Sequence, residues 1–324
     1  MRILYALLFL ALFSCKGNDA YILNPSVGKI NKILIVTKTT DWDGNIGKSM
    51  RNTFGELQVG LPQPEPILSV SQLDPRGFGS MMKYHRNVLF VTKAEKEAFV
   101  VKRDVYARPQ TIIYLQGTNE QSILNMFEKR KSDIVKTFLA SDVRYVQGLF
   151  EKERLDDSKY KTLENLGLSL TIHDKFKTVD DTGEFLWLRQ HLLSGIAKTG
   201  SNNILVYSLP LMAESKIAES ISRIRDSIGK VYIPGSREGM YMITEEAYTP
   251  YTFDAEIAGK KAFETRGKWE VKNDFMAGPF LNYTIVDKEK NRLIVFEGFT
   301  YAPSINKRAF LFELEAIGRS LKFK

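Results

Sequence analysis

Leu281-Asn282-Tyr283-Thr284-Ile285-Val286-Asp287-Lys288-Glu289-Lys290-Asn291-Arg292-Leu293-Ile294-Val295-Phe296-Glu297-Gly298-Phe299-Thr300-Tyr301 reads as two strands, Leu281 to Val286 and Arg292 to Tyr301, joined by a tight polar turn over Asp287 to Asn291. Alternation along the stretch puts one face of the strands into a core. A turn this short makes the two strands antiparallel neighbours. The segment that follows, Asn306 to Leu321, carries Phe310, Leu314, Ile317 and Leu321 at spacings of 4, 3 and 4, the apolar stripe of a helix lying on a sheet.

The same grammar extends towards the N-terminus. Lys268 to Val271 and Met240 to Thr244 read as strands. A helix is expected over Ala213 to Ile228, with Ile217, Ile221, Ile224 and Ile228 on one face and Gly229 at its end. Before it come strands at Ile204 to Leu209 and Phe185 to Gln190, the latter entered through a hairpin around Asp180 to Gly183, and a strand at Leu168 to Ile172. In the first half, strands are expected at Lys32 to Thr37, Ile67 to Leu73, Asn87 to Thr92, Ala98 to Val105 and Gln110 to Leu115. Lys48 to Leu57 reads as a helix, and Gly60 to Pro66, with three alternating prolines, as an extended connector. Asn119 is placed to cap a long helical region running towards Glu153, with Ile123, Phe127, Ile134 and Phe138 on one face; whether it is one helix or two stays open. A further helix from Ser158 stops at Gly167. The expected class is α+β, mainly antiparallel sheets with packed amphipathic helices. One domain over 30–324, with two similar lobes divided near residue 167, is the expected organisation; no repeated motif marks an internal duplication.

At the N-terminus, Arg2 precedes an unbroken apolar run, Ile3 to Phe13, closed by Leu12-Phe13-Ser14-Cys15. A helix crossing a bilayer needs about 20 apolar residues, so the run is an export signal rather than a span. Leucine three places before the only cysteine, with serine just before it, fits a lipoprotein signal over 1–14, cleavage before Cys15 and acylation of its thiol and new amino group. The short polar segment 15–29 is the expected tether. With Cys15 acylated no thiol is left, which excludes disulfides, thiolate metal sites and cysteine nucleophiles together. The formal charge of +8 would suggest nucleic acid in a cytosolic protein. In an exported one it meets anionic headgroups, phosphorylated glycolipid and wall polymer instead. An acidic run after the cysteine would suggest display on the outer surface in some bacteria, and here there is only Asp19, so an outer-membrane anchor facing the periplasm is the expectation.

The block Gly267-Lys268-Trp269-Glu270-Val271-Lys272-Asn273-Asp274-Phe275-Met276-Ala277-Gly278-Pro279-Phe280, followed by Asn291-Arg292, Glu297-Gly298-Phe299, Tyr301-Ala302-Pro303 and Leu314-Glu315-Ala316-Ile317, resembles a family of Bacteroidetes envelope lipoproteins catalogued as domain of unknown function 4837. The resemblance covers essentially the whole mature chain and is most specific from Trp269 to Pro303. It implies a single family-wide domain behind an N-terminal lipid anchor, and carries no activity, ligand or site residue.

Candidate chemistry is sparse. Gly44-Asn45-Ile46-Gly47-Lys48-Ser49 sits between a strand and a helix, where a phosphate loop would lie, but Trp42 stands where that pattern needs its first glycine. The histidines 85, 173 and 191 show no metal-ligand spacing, although His173 next to Asp174 could be oriented as a base. Gly235-Ser236-Arg237-Glu238-Gly239 lacks the spacing of a nucleophile elbow. Acid pairs such as Asp41 with Asp43 and Asp254 with Glu256 read as solvated. Asp274, set among Phe275, Met276, Pro279 and Phe280, is the acid whose pKa desolvation would raise; capping a turn is its competing role. The aromatic residues Trp269, Phe280, Tyr283, Phe296 and Phe299 read as core. The loops Tyr232 to Gly239 and Asn273 to Pro279, with Gly235, Arg237, Asn273 and Asp274, are the candidate surface sites. No cofactor or metal is expected. A non-enzymatic lipid-anchored protein that binds or scaffolds an envelope protein or glycan is the preferred reading, and a carboxylate-dependent hydrolase of wall polymer or glycan the alternative.

Overall fold

The computed structural model describes residues 23–193 and 200–324; the signal, Cys15 and most of the tether lie outside them. Among the described residues no helix is long and apolar enough to cross a membrane.

The first lobe contains β1 (Lys32–Val36), α1 (Asn45–Phe54), β2 (Ser69–Leu73), β3 (Asn87–Lys93), β4 (Ala98–Arg103), β5 (Thr111–Gly117) and α2 (Glu120–Lys152). Its five strands lie in the order β2-β1-β3-β5-β4. β2, β1, β3 and β5 are parallel, and only β4 runs antiparallel, beside β5. This sheet is the parallel exception in a largely antiparallel protein. The shared order of strands and helices in the two halves does not fix strand direction, which the crossovers decide, so the two lobes are not copies of one unit. One sheet face packs Ile33, Ile35, Leu89 and Ile113 against Met50 and Phe54 of α1 and Phe127 and Phe138 of α2. Among the described residues the other face, with Leu34, Val36, Val88 and Ile112, is packed by no α-helix and is covered by Phe78 from the loop after β2.

The second lobe contains α3 (Lys161–Leu166), β6 (Lys177–Asp181), β7 (Phe185–Leu192), β8 (Gly200–Pro210), α4 (Glu214–Tyr232), β9 (Met242–Thr244), β10 (Tyr251–Ile257), β11 (Lys260–Val271), β12 (Ala277–Asp287), β13 (Arg292–Tyr301) and α5 (Arg308–Gly318). Its eight-stranded sheet runs β9-β11-β12-β13-β8-β7-β6, with β10 sharing the outer edge of β11. Every pairing is antiparallel. Strand alternation works as the sequence implies: Leu281, Tyr283, Ile285, Ile294 and Phe296 join the core that includes Leu314 and Ile317 of α5. Phe280, Val295 and Phe299 turn to the other face, where α4 lies.

Three local differences have physical causes. Leu168 to Ile172 contributes only Leu168–Ser169 to a ladder, because its partner is the two-residue chain end Lys322–Phe323. α4 continues through Gly229 to Tyr232; a Cβ on Gly229 would lie 2.0 Å from the Met242 carbonyl oxygen, so the glycine admits the close approach of β9 rather than ending the helix. Of the hairpin of β10 and β11 only Lys268 to Val271 is expected as a named strand; Tyr251 to Glu256 is almost wholly exposed, so no buried face marks β10.

α2 is one helix, capped by Asn119 through a reciprocal bond with Ser122. At 33 residues and about 1.5 Å per residue it is about 50 Å long. Its first half fills the first lobe's core, while Val143, Val146 and Phe150 belong to the core of the second. The proline-bearing connector returns the exchange. Leu61 packs into the second lobe, and Glu65 accepts from the backbone amides of Lys307 and Arg308 at 2.7 and 3.0 Å, at the head of α5.

Candidate functional site

α4 is held on the second sheet by a buried polar core. Arg225, 1% exposed, donates through Nε to Glu297 Oε1 at 2.8 Å and through Nη1 to Thr244 Oγ1 at 3.2 Å, and its guanidinium lies 3.9 Å from the Phe280 ring centre. Asn282 Nδ2 supplies the second bond to Glu297, at 3.2 Å. Burial pushes the Glu297 carboxyl above its ordinary range, against the opposing pull of Arg225 and Asn282. The neighbouring Asp226 turns outward, and its carboxylate accepts from the Thr244 amide at 2.6 Å and hydroxyl at 2.7 Å. These bonds tie the helix to β9 and fix the groove between them.

The groove, about 530 Å³, is lined by Arg223, Asp226, Lys230, Tyr241, Glu246 and Lys272 among others. Lys230 Nζ lies 5.9 Å and Lys272 Nζ 5.6 Å from the Tyr241 ring centre, within the range of a cation on an aromatic face. The two loops picked out in the sequence meet at this end of the lobe. Gly235 donates its amide to Met240 O at 2.8 Å, and Lys272 donates its amide to Tyr241 O at 3.0 Å. A Cβ on Gly235 would lie 2.9 Å from Val271. Phe275, in the β11–β12 turn three residues after Lys272, is fully exposed at 104%; Met276, next to it in the chain, and Val231, next to Lys230, are also exposed.

The individual residues fall as follows. Asp274 sits in that turn, accepting from the Phe275 amide at 2.6 Å while its own amide donates to Val271 O at 3.0 Å. Phe275, one of the side chains expected to desolvate it, points into water instead. Asn273 has φ 63°, a left-handed conformation that asparagine tolerates. Arg237 is exposed and accepts at its carbonyl from the Met240 amide. Lys48 and Ser49 lie within α1; Ser49 Oγ donates to Glu128 and Asn45 Nδ2 to Glu120, so carboxylates occupy the ground a phosphate would need. A Cβ on Gly47 would lie 1.8 Å from the Trp42 carbonyl oxygen, which gives that glycine a packing role.

His173 lies between Glu153, 3.1 Å from Nε2, and Asp174, 2.8 Å from Nδ1. Among the described residues this is the one group of three side chains with metal-ligand character. The two ring nitrogens face different carboxylates, so a single ion cannot use both. The Lys175 amide also approaches Nδ1, at 3.2 Å; it needs a lone pair there, whereas Asp174 needs a proton. Tyr241, Lys230 and Lys272 went unnoticed in the sequence, because nothing in their spacing announces that they meet.

A family model described as "Domain of unknown function (DUF4837)" matches residues 155–320, and a second, described as "Domain of unknown function (DUF8532)", matches residues 26–151. The first stops short of the whole mature chain over which the resemblance was read, and the division falls at the end of α2. No curated protein matches. Among solved structures, LpqN of Mycobacterium tuberculosis, titled as involved in cell envelope biogenesis, aligns at 10% identity and TM-score 0.31 over 48% of this chain and 83% of its own. The Saccharomyces cerevisiae Ran-binding protein Mog1p aligns at 10% identity and TM-score 0.33 over 48% and 90%. Likeness at this level carries no functional argument.

Proposed function

The chain belongs to the family described as "Domain of unknown function (DUF4837)", and on that footing we propose that it is a lipid-anchored cell-envelope protein that acts by binding another envelope protein rather than by catalysis. The observation that carries this is the fully exposed Phe275, three residues along the β11–β12 turn from Lys272, which lines the Lys230–Tyr241–Lys272 groove. Single exposed apolar residues are ordinary. An aromatic tip grouped with Met276, Val231 and a preformed groove is the composition of an interface centre with a polar rim. The groove mixes cations, Arg223, Lys230 and Lys272, with carboxylates, Glu219, Asp226 and Glu246, which suits a peptide segment bearing both charges better than a polyanion. The Met1 to Cys15 signal and the spare chemistry of the rest support the anchored, non-catalytic part of the reading.

The test is a photo-crosslinking residue at position 275 in intact cells, with position 125 on α2 as control. One defined envelope protein captured from 275 alone, and bound at least tenfold more weakly by Phe275→Ala, is the expected result. Capture of glycan alone, or of the same proteins from both positions, overturns it.

A further inference from the structure

We propose that the helix-free face of the first sheet docks on the anionic lipid surface that holds the acylated Cys15; the proposal rests on the lipoprotein reading of Met1 to Cys15. The first observation is where the chain enters the fold. Asn24–Pro25 pairs with Ala107–Arg108, Val27 donates its amide to Tyr84 O at 2.9 Å, and Arg86 donates its amide to Val27 O at 2.9 Å. The entering chain is thus clamped between the loop after β2 and the link from β4 to β5, which together border the face without a helix. Cys15 precedes Leu23 by eight positions, which at full extension reach roughly 28 Å. Whatever course those residues take, this border is held close to the headgroups.

The second observation is what the border exposes. Met81 is 65% exposed, and Met82, Tyr106 and Val27 are exposed with it. Behind them Phe78 packs edge-on to Phe90 at 4.7 Å and against Tyr106 at 6.0 Å. Grouped in this way, the thioethers and tyrosine suit the boundary between headgroup and acyl chain. The third is charge. Lys29, Arg76, Lys83 and Arg108 lie on the same segments, and Lys102 on the adjoining strand β4, its Nζ 5.6 Å from the ring of Tyr114 on this face. Their acids are Asp74 and Asp104, each already bonded to an arginine of the set. The excess is positive, the sign that anionic headgroups attract. The acyl chains supply the hold, and the patch fixes which face looks at the bilayer.

The test uses the mature chain from Cys15, its one thiol coupled to a maleimide lipid in vesicles of phosphatidylglycerol and phosphatidylethanolamine. Attachment is then independent of processing in the cell, which is checked separately by the intact mass of the native protein. Methionine oxidation by hydrogen peroxide, read by peptide mass spectrometry, reports the face. Met81 and Met82 should oxidise at least fivefold more slowly on the vesicle than in free solution, with Met276 unchanged. Lys83→Glu with Lys102→Glu and Arg108→Glu should abolish that protection while leaving the protein attached. Equal rates for Met81 and Met82 in both states, or equal slowing of Met276, overturn the proposal. A native mass without acyl chains overturns the lipoprotein premise instead.

Discussion

At the scale of single residues, the side chains that organise the molecule are charged and buried, and each finds its partner far along the chain. Asp142 on α2 accepts from Arg86 Nε at 2.7 Å, from the Asn31 amide at 2.6 Å and from Asn87 Nδ2 at 2.9 Å, and so pins the helix to the starts of β1 and β3. In the sequence Asp142 is one more acid on a polar helix, because separations of 55 to 111 positions leave no local trace. Glu313 shows the opposite case. It is half-buried on α5, and burial, only partly offset by Lys175, pushes its carboxyl up to about 7. Its folded pKa lies above the unfolded value, so the fold holds the extra proton between about 4.5 and 7 and loses stability as pH rises through that window. Glu313→Gln should therefore raise stability by about 1–2 kcal/mol at pH 8, allowing for partial solvent access, and by nothing at pH 4. Urea unfolding at the two pH values checks it; an equal gain at both would point to packing instead.

At the scale of elements, periodicity carried most of the reading. The isoleucine face of α4 and the strand alternation of β12 and β13 are present where expected, since each element meets its sheet with one face; of the α5 stripe Leu314 and Ile317 lie in the core as expected, but the helix ends at Gly318, short of Leu321, and Leu311 and Phe312 are buried where Phe310 is expected. Strand direction was not legible: a β-branched run such as Ile33 to Val36 is buried on both faces and reads alike in either orientation. Nor was the capping of α5, because its cap is Glu65, 242 positions away. A carboxylate from the other lobe stands in for the usual local serine or aspartate. Glu65→Ala should cost about 1–2 kcal/mol, seen as a lower urea midpoint and as faster hydrogen exchange in the first turn of α5 before any other helix. The candidate site was half legible. Glycine and proline marked both loops, but the groove they border depends on the long-range register that sets Tyr241 against Lys272.

At the scale of the whole molecule, the two lobes share rather than touch. α2 furnishes core to both, Leu61 crosses one way, and Gln147 donates to the Ala316 carbonyl at 2.8 Å at the far end. Residues 155–324 produced alone should be aggregation-prone, since the wall made by Val143, Val146 and Phe150 would be missing. Extending the fragment back to Asn119 should raise its soluble yield and sharpen its thermal transition; equal behaviour of the two fragments would show that the second lobe closes without the helix. The match of one family ends at residue 151 and that of the other begins at 155, so the unit that heredity copies and the unit that folds part company at this helix. A recombination event that swapped the lobes at that seam would hand each descendant a core with one side torn away. A cut before residue 120 fares no better, because it takes Ile123, Phe127, Ile134 and Phe138 out of the first lobe's core, so the two halves travel together.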